Sequence, residues 1–150
     1  MKKRLQVVVA GLAIALVSAG CASSGVQPPP GARPIQRVMT VTAYCDCGTC
    51  CNWKRNWRFK PVIASGPHAG RAKDVGRTAS GAYAEEGRTI AADTTRYPFG
   101  TVIDVPGYGM GRVEDRGSAI QGARLDVFFD DHDDALEWGV RKLPVTVWVP

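Results

Sequence analysis

No apolar run in this sequence is long enough to cross a bilayer comfortably. Leu5–Val17 spans 13 residues, whereas a spanning helix needs roughly 20. An excess of one charge is also lacking. Lys2, Lys3 and Arg4 account for much of the formal +5. Beyond residue 20, 16 Lys and Arg face 14 Asp and Glu. That balance gives no electrostatic footprint for nucleic acid, and no nucleic-acid partner is expected. Histidine is scarce, with two in the chain. His68 follows Pro67 in a Gly-rich turn, has no ligand partner at metal spacing, and reads as exposed. The acidic group Asp130, Asp131, Asp133 and Asp134 lacks the loop pattern and the glycine of a calcium hand, so no metal is expected there.

The N-terminus reads as an address rather than as structure. A basic start, the short apolar run and the small residues Ser18-Ala19-Gly20 form an export signal over residues 1–20. Cys21 follows directly, which resembles a bacterial lipoprotein signal and implies lipidation of Cys21. Ser18 stands where such signals usually hold Leu, so ordinary signal cleavage is the alternative. Ala22 after the Cys implies the outer membrane. Residues 21–36, rich in Ser, Gly and Pro, read as an extended tether. Residues 37–150, about 115 in number, suffice for one domain with one modest core.

What the chain does have is concentrated between Thr89 and Phe129. Four short runs there read as strands: 89–92, 101–105, 111–114 and 124–129, separated by Gly, Pro and polar turns. Asp93 closes the first run, Asp115 closes the third and Asp126 lies inside the fourth. Asp is depleted in strands because its short side chain competes for backbone hydrogen bonds. Turn capping accounts for Asp93 and Asp115 taken singly. Asp126 is harder to dismiss. Alternation puts Leu125, Val127 and Phe129 on one face and Arg124, Asp126 and Phe128 on the other. A carboxyl flanked by apolar residues is partly desolvated, and desolvation raises its pKa toward the range of a general acid. The bland alternative is a salt bridge from Asp126 to Arg124 or Arg116.

The flanks are more ordinary. Arg37–Tyr44 alternates and is rich in β-branched residues, so it reads as a first strand. Cys45, Cys47, Cys50 and Cys51 follow within seven residues. In an oxidising compartment two disulfides are the leading reading. Four thiolates around zinc are the alternative, with free or redox thiols after that. Asn52–Arg77 is basic and carries Trp53, Trp57 and Phe59. It reads either as a loop whose aromatics stack on sugars or, more plainly, as a surface insertion with its aromatics tucked beneath it. Thr78–Gly81 reads as a tight turn. Asp130–Trp138 reads as a helix capped by Asp130 or Asp131, with Ala135, Leu136 and Gly139 inward, and 143–149 as a last strand.

Taken together, TASG, TIAAD, YPFGTVIDVPGYG, VEDRG and ARLDVFF in this order resemble the 3D domain, named for three aspartates. The match runs from about Val38 to Val149. The sequence is similar to the catalytic barrel of membrane-bound lytic transglycosylase A and to stationary-phase muralytic enzymes. The resemblance implies an all-β fold with small helical content: a six-stranded double-psi β-barrel with one short helix before the last strand. It implies cleavage of the β-1,4 bond between N-acetylmuramic acid and N-acetylglucosamine in peptidoglycan, giving 1,6-anhydro ends. It implies Asp126 as acid/base, with Asp115 and Asp93 as the other two aspartates, and Thr78 and Gly81 lining the cleft. No cofactor or metal is implied. Asn52–Arg77 is longer than the family pattern in that place. The competing expectations are an expansin-like wall-binding module using Trp53 and Trp57, a metal or redox lipoprotein run by the cysteines, and a plain glycoside hydrolase. Partners are then peptidoglycan strands and, through Cys21, lipid at the periplasmic face of the outer membrane.

Overall fold

The computed structural model describes residues 25–150. Cys21 and the signal read over residues 1–20 lie outside the described residues. The elements run β1 (Ile35–Tyr44), β2 (Trp53–Arg55), β3 (Pro61–Ile63), β4 (Thr89–Ala92), β5 (Val102–Val105), β6 (Gly109–Asp115), β7 (Arg124–Phe128), α1 (His132–Trp138) and β8 (Arg141–Trp148). Six strands close into a barrel in the order β1-β7-β4-β6-β5-β8. β1 with β7 and β4 with β6 are parallel, and the other neighbours are antiparallel. The architecture is therefore the all-β six-stranded barrel expected, with its one short helix ahead of the last strand.

Alternation decides what fills the barrel. Met39 and Val41 of β1, Leu125 and Val127 of β7, and Val145 and Val147 of β8 point inward and are buried. Ile90, Ile103, Val105 and Val113 complete the core. Each such side chain contributes about 1.5–3 kcal/mol on full burial. Where strands come closest, β6 needs Gly111. A Cβ there would stand 2.7 Å from Ile90 Cδ1 and 2.8 Å from the Arg88 carbonyl oxygen.

β6 also carries a bulge. Ile90 pairs with Val113, but the next residue, Ala91, pairs with Asp115. Glu114 is the extra residue and is buried, accepting hydrogen bonds from Thr89 Oγ1 at 2.8 Å and Arg88 Nε at 3.2 Å. Bulges of this kind re-aim a side chain. Here the bulge sets Asp115 opposite Ala91.

Two expectations are corrected. Leu136 of α1 is 64% exposed, while Ala135 and Trp138 face the core. Positions i and i+3 share a helix face, and Leu136 falls on the flank. Trp138 packs against Tyr108 and Phe129, and Arg141 lies 4.1 Å over its ring. Asp131 caps α1 by accepting the Asp133 amide at 2.7 Å. The basic segment after the cysteines is also not simply loop: β2 and β3 form a small antiparallel hairpin outside the barrel.

Candidate active site

The strand register lays out one row of residues across the outer wall of the barrel. Thr42 on β1 pairs with Asp126 on β7, Asp126 pairs with Ala91 on β4, and Ala91 pairs with Asp115 on β6. Asp126 and Asp115 thus sit two strands apart, about 10 Å between backbones, with only a methyl group between them. A cleft of about 380 Å³ opens over this row. Its walls include Tyr44, Thr78, Ala91, Asp115 and Asp126, with Lys73 and Arg116 adding positive charge.

Asp126 is half-buried in this cleft. Burial pushes its carboxyl from the ordinary 3.8 up to about 6, and the Asp115 charge adds to the rise. The Thr42 hydroxyl, which donates to Asp126 Oδ1 at 2.8 Å, and nearby Arg124 pull the other way. No salt bridge is formed by Asp126 among the described residues. Asp115 is held from three sides. The Tyr44 hydroxyl donates to Oδ2 at 3.0 Å, and the Ala79 and Arg116 amides each donate to Oδ1 at 2.9 Å. Burial and the Asp115 charge push the Tyr44 hydroxyl far above its usual range, so it remains a donor. Tyr44 is itself fixed edge-on against Phe128 at 5.3 Å.

The turn at Thr78–Gly81 serves as one lip. Thr78 donates through its hydroxyl to the Ala82 carbonyl at 2.9 Å, and the Ser80 amide donates to the Glu114 carbonyl at 3.0 Å. Gly81 takes the positive φ of 91° that the turn requires. Thr78 lines the cleft, whereas Gly81 does not.

Asp93 does not join the other two aspartates. It borders a separate hollow of about 360 Å³ beyond Arg116 and Gly117. Its Oδ1 accepts from the Thr95 hydroxyl at 2.6 Å and the Thr95 amide at 3.1 Å, and its Oδ2 accepts from the Gly122 amide at 2.9 Å. These donors, the Thr95 hydroxyl foremost, hold its carboxyl below the usual range. Asp93 therefore ties the turn after β4 to the turn before β7. The aromatic candidates also lie elsewhere. Trp53 is half-buried and donates from Nε1 to the Asp46 carbonyl at 2.6 Å. Trp57 and Phe59, 80% and 77% exposed, project from the β2–β3 connection, and Arg58 lies 4.3 Å over the Trp57 ring.

The structure holds no disulfide among the described cysteines. Cys45, Cys47, Cys50 and Cys51 are all free. The Cys45 and Cys50 sulfurs are 3.7 Å apart, well beyond the roughly 2.05 Å of a bonded pair. Nor do four thiols gather. Cys51 turns aside to the Cys45 carbonyl, and His132 takes the fourth place beside Cys45, Cys47 and Cys50. The zinc alternative read at this loop used four thiolates; the structure instead gathers three cysteines and one histidine. His132 lies more than eighty residues from the cysteines, so no local spacing signalled it.

These features define a small β-barrel with a carboxylate-bearing cleft on its outer wall. Residues 88–149 match the family model described as 3D domain, and the chain belongs to the 3D-domain family. The matched span holds Asp93, Asp115 and Asp126 but neither the cysteine loop nor Thr78. Two curated relatives come from Bacillus subtilis (strain 168). The chain is 35% identical over 111 residues to the "Putative cell wall shaping protein YabE", covering 74% of this chain and 23% of that one. It is 40% identical over 60 residues to the "Cell wall-binding protein YocH", covering 40% of this chain and 21% of that one. The chain thus spans less than a quarter of the length of these relatives. Among solved structures it is similar to MltA from E. coli at 20% identity, with a TM-score of 0.41, covering 48% of this chain and 27% of that one.

Proposed function

We propose that this chain is a lytic transglycosylase that cleaves the β-1,4 bond between N-acetylmuramic acid and N-acetylglucosamine, with Asp126 as general acid and then base. The observation that carries the reading is the pairing of a half-buried carboxyl raised to about 6 with a second, firmly held carboxylate in the same cleft. A group titrating near 6 retains a proton to donate near neutral pH and accepts one readily afterwards.

The steps balance without water or metal. Asp126 donates its proton to the glycosidic oxygen as the bond to C1 of the muramic acid breaks. The Asp126 carboxylate then takes the proton of that sugar's own 6-hydroxyl, whose oxygen bonds to C1. One carboxyl serves both transfers and ends protonated, as it began. Asp115 favours the protonated Asp126 before the reaction through its charge. Its own hydrogen bonds keep it from drifting into the reacting position. Lys73 and Arg116 suit the carboxylates that decorate a wall polymer. Asp93 acts as a positioning residue for the flanking turns.

Cell-wall shaping and wall binding in the names of the two relatives support an exported protein that meets peptidoglycan. Lipidation at Cys21, a tether over residues 21–36 and placement at the periplasmic face of the outer membrane complete the proposal. The second reading is a wall-binding module that grips glycan without cutting it. The exposed Trp57 and Phe59 favour it, since flat rings offered to solvent suit sugar stacking. One experiment separates the two. The full chain is incubated with purified peptidoglycan, and the soluble products are weighed by mass spectrometry. Anhydro-muropeptides that disappear with Asp126→Asn support the transglycosylase. Reducing ends instead would mean hydrolysis, and intact glycan with the protein bound to it would transfer the function to the Trp57 hairpin.

A further inference from the structure

The reaction above makes no use of the loop that follows β1, yet that loop is built with care. Cys45, Cys47, Cys50 and His132 each turn one ligand atom inward, and the four atoms all lie within 4.8 Å of one another. His132 Nδ1 is 3.5 Å from the Cys45 and Cys47 sulfurs and 3.7 Å from the Cys50 sulfur. The Cys45 and Cys50 sulfurs are 3.7 Å apart. Hydrogen bonding does not explain this convergence. A single ring nitrogen carries either one proton or one lone pair, so it satisfies one thiol and not three.

A metal ion does explain it. Tetrahedral zinc holds thiolate sulfur at about 2.3 Å and imidazole nitrogen at about 2.0–2.1 Å, which makes the S···S edge about 3.8 Å and the S···N edge about 3.6 Å. The four separations just given match those edges. Three thiolates and an imidazole are also a ligand set that zinc favours.

We propose that Cys45, Cys47, Cys50 and His132 bind one zinc ion as a closed structural site. The surroundings prepare the ligands. The Cys50 amide donates to the Cys47 sulfur at 3.4 Å, a contact that steadies a thiolate. Gly48, between two ligands, lies so close to the Trp53 carbonyl that any side chain there would collide with it. Trp53 in turn holds the Asp46 carbonyl through its ring N–H. Cys51, the remaining cysteine of this loop, points elsewhere. The zinc clamps the end of β1 to the start of α1. Asp46, Cys50 and Cys51 wall the cleft, and Tyr44, the donor to Asp115, immediately precedes the first ligand. The ion therefore fixes one wall of the cleft without touching the reacting groups, and the proposal stands independently of the transglycosylase reading.

The test is metal analysis of the full chain, purified without chelator and without added metal. One zinc per chain is expected, lost from Cys47→Ser and from His132→Gln but retained by Cys51→Ser. Cobalt exchanged into the unmutated protein gives an independent reading should a variant fail to fold. Intense tetrahedral d–d bands with sulfur-to-cobalt charge transfer are expected. Zinc-free protein with its thiols paired as disulfides, zinc retained by His132→Gln, or a weak octahedral cobalt spectrum would each overturn the proposal.

Discussion

Replacing Asp126 by Asn removes a proton donor and, with it, a charge that the fold holds at a cost. The folded chain binds the Asp126 proton more tightly than the unfolded chain does, with a midpoint near 6 against 3.8. Stability is then lost as pH rises from 3.8 through 6, where the unfolded chain ionises first. Asn is never ionised and escapes that loss. The difference between the two midpoints converts to about 2–3 kcal/mol above pH 7, the lower figure allowing for solvent at the cleft mouth. For a domain of this size that is about 10 °C in melting temperature. Thermal unfolding of both proteins from pH 3 to pH 8 provides the assay. The two curves should nearly coincide at pH 3, separate between about pH 4 and pH 6 and run parallel above about pH 7, with the Asn variant the more stable while inactive on peptidoglycan. A gap that does not change with pH, or a variant less stable at pH 8, would refute the account of Asp126 as a desolvated acid.

Thr42→Val removes the donor that favours ionised Asp126. The high-pH fall in activity, expected near 6 in the unmutated protein, should move upward, which a pH–rate profile would detect. Ala91→Leu fills the space between the two carboxylates on the outer wall. Glycan turnover should drop at least about tenfold with little loss of melting temperature, since the added atoms enter the cleft rather than the core. Gly111→Ala forces a methyl group against Ile90 and the Arg88 carbonyl. It should destabilise the barrel by about 1–3 kcal/mol in denaturant unfolding.

How much of this was legible in the sequence depended on whether the signal was local. Alternation around Leu125 and Val127 marked Asp126 as outward-facing yet desolvated, and the structure agrees. Closure into six strands came from the family resemblance, since no local pattern states which strands pair. Glu114 shows what period-two reasoning misses: the bulge puts the buried residue and the cleft residue side by side. Asp93 looked like Asp115, each ending a strand before a turn, and only the register separates the cleft from the neighbouring hollow. The hairpin of β2 and β3 was hidden because a strand of three residues is too short to show a period, and Lys54 and Arg55 make up most of β2. His132 read as an unremarkable helix residue because its companions lie more than eighty residues away along the chain.

The place of β1 in the barrel has a consequence for the order of events during synthesis. This first strand is enclosed by the last two, pairing with β7 along Thr40–Tyr44 and with β8 along Ile35–Val41. No shorter piece of the domain can close, because both partners of its opening strand are made last. A growing chain therefore emerges with Met39 and Val41 of β1 without their strand partners until β7 and β8 have been made. Such long-range pairing folds slowly. A chain that stays open while it is being made is also a chain that a narrow translocation pore can still accept.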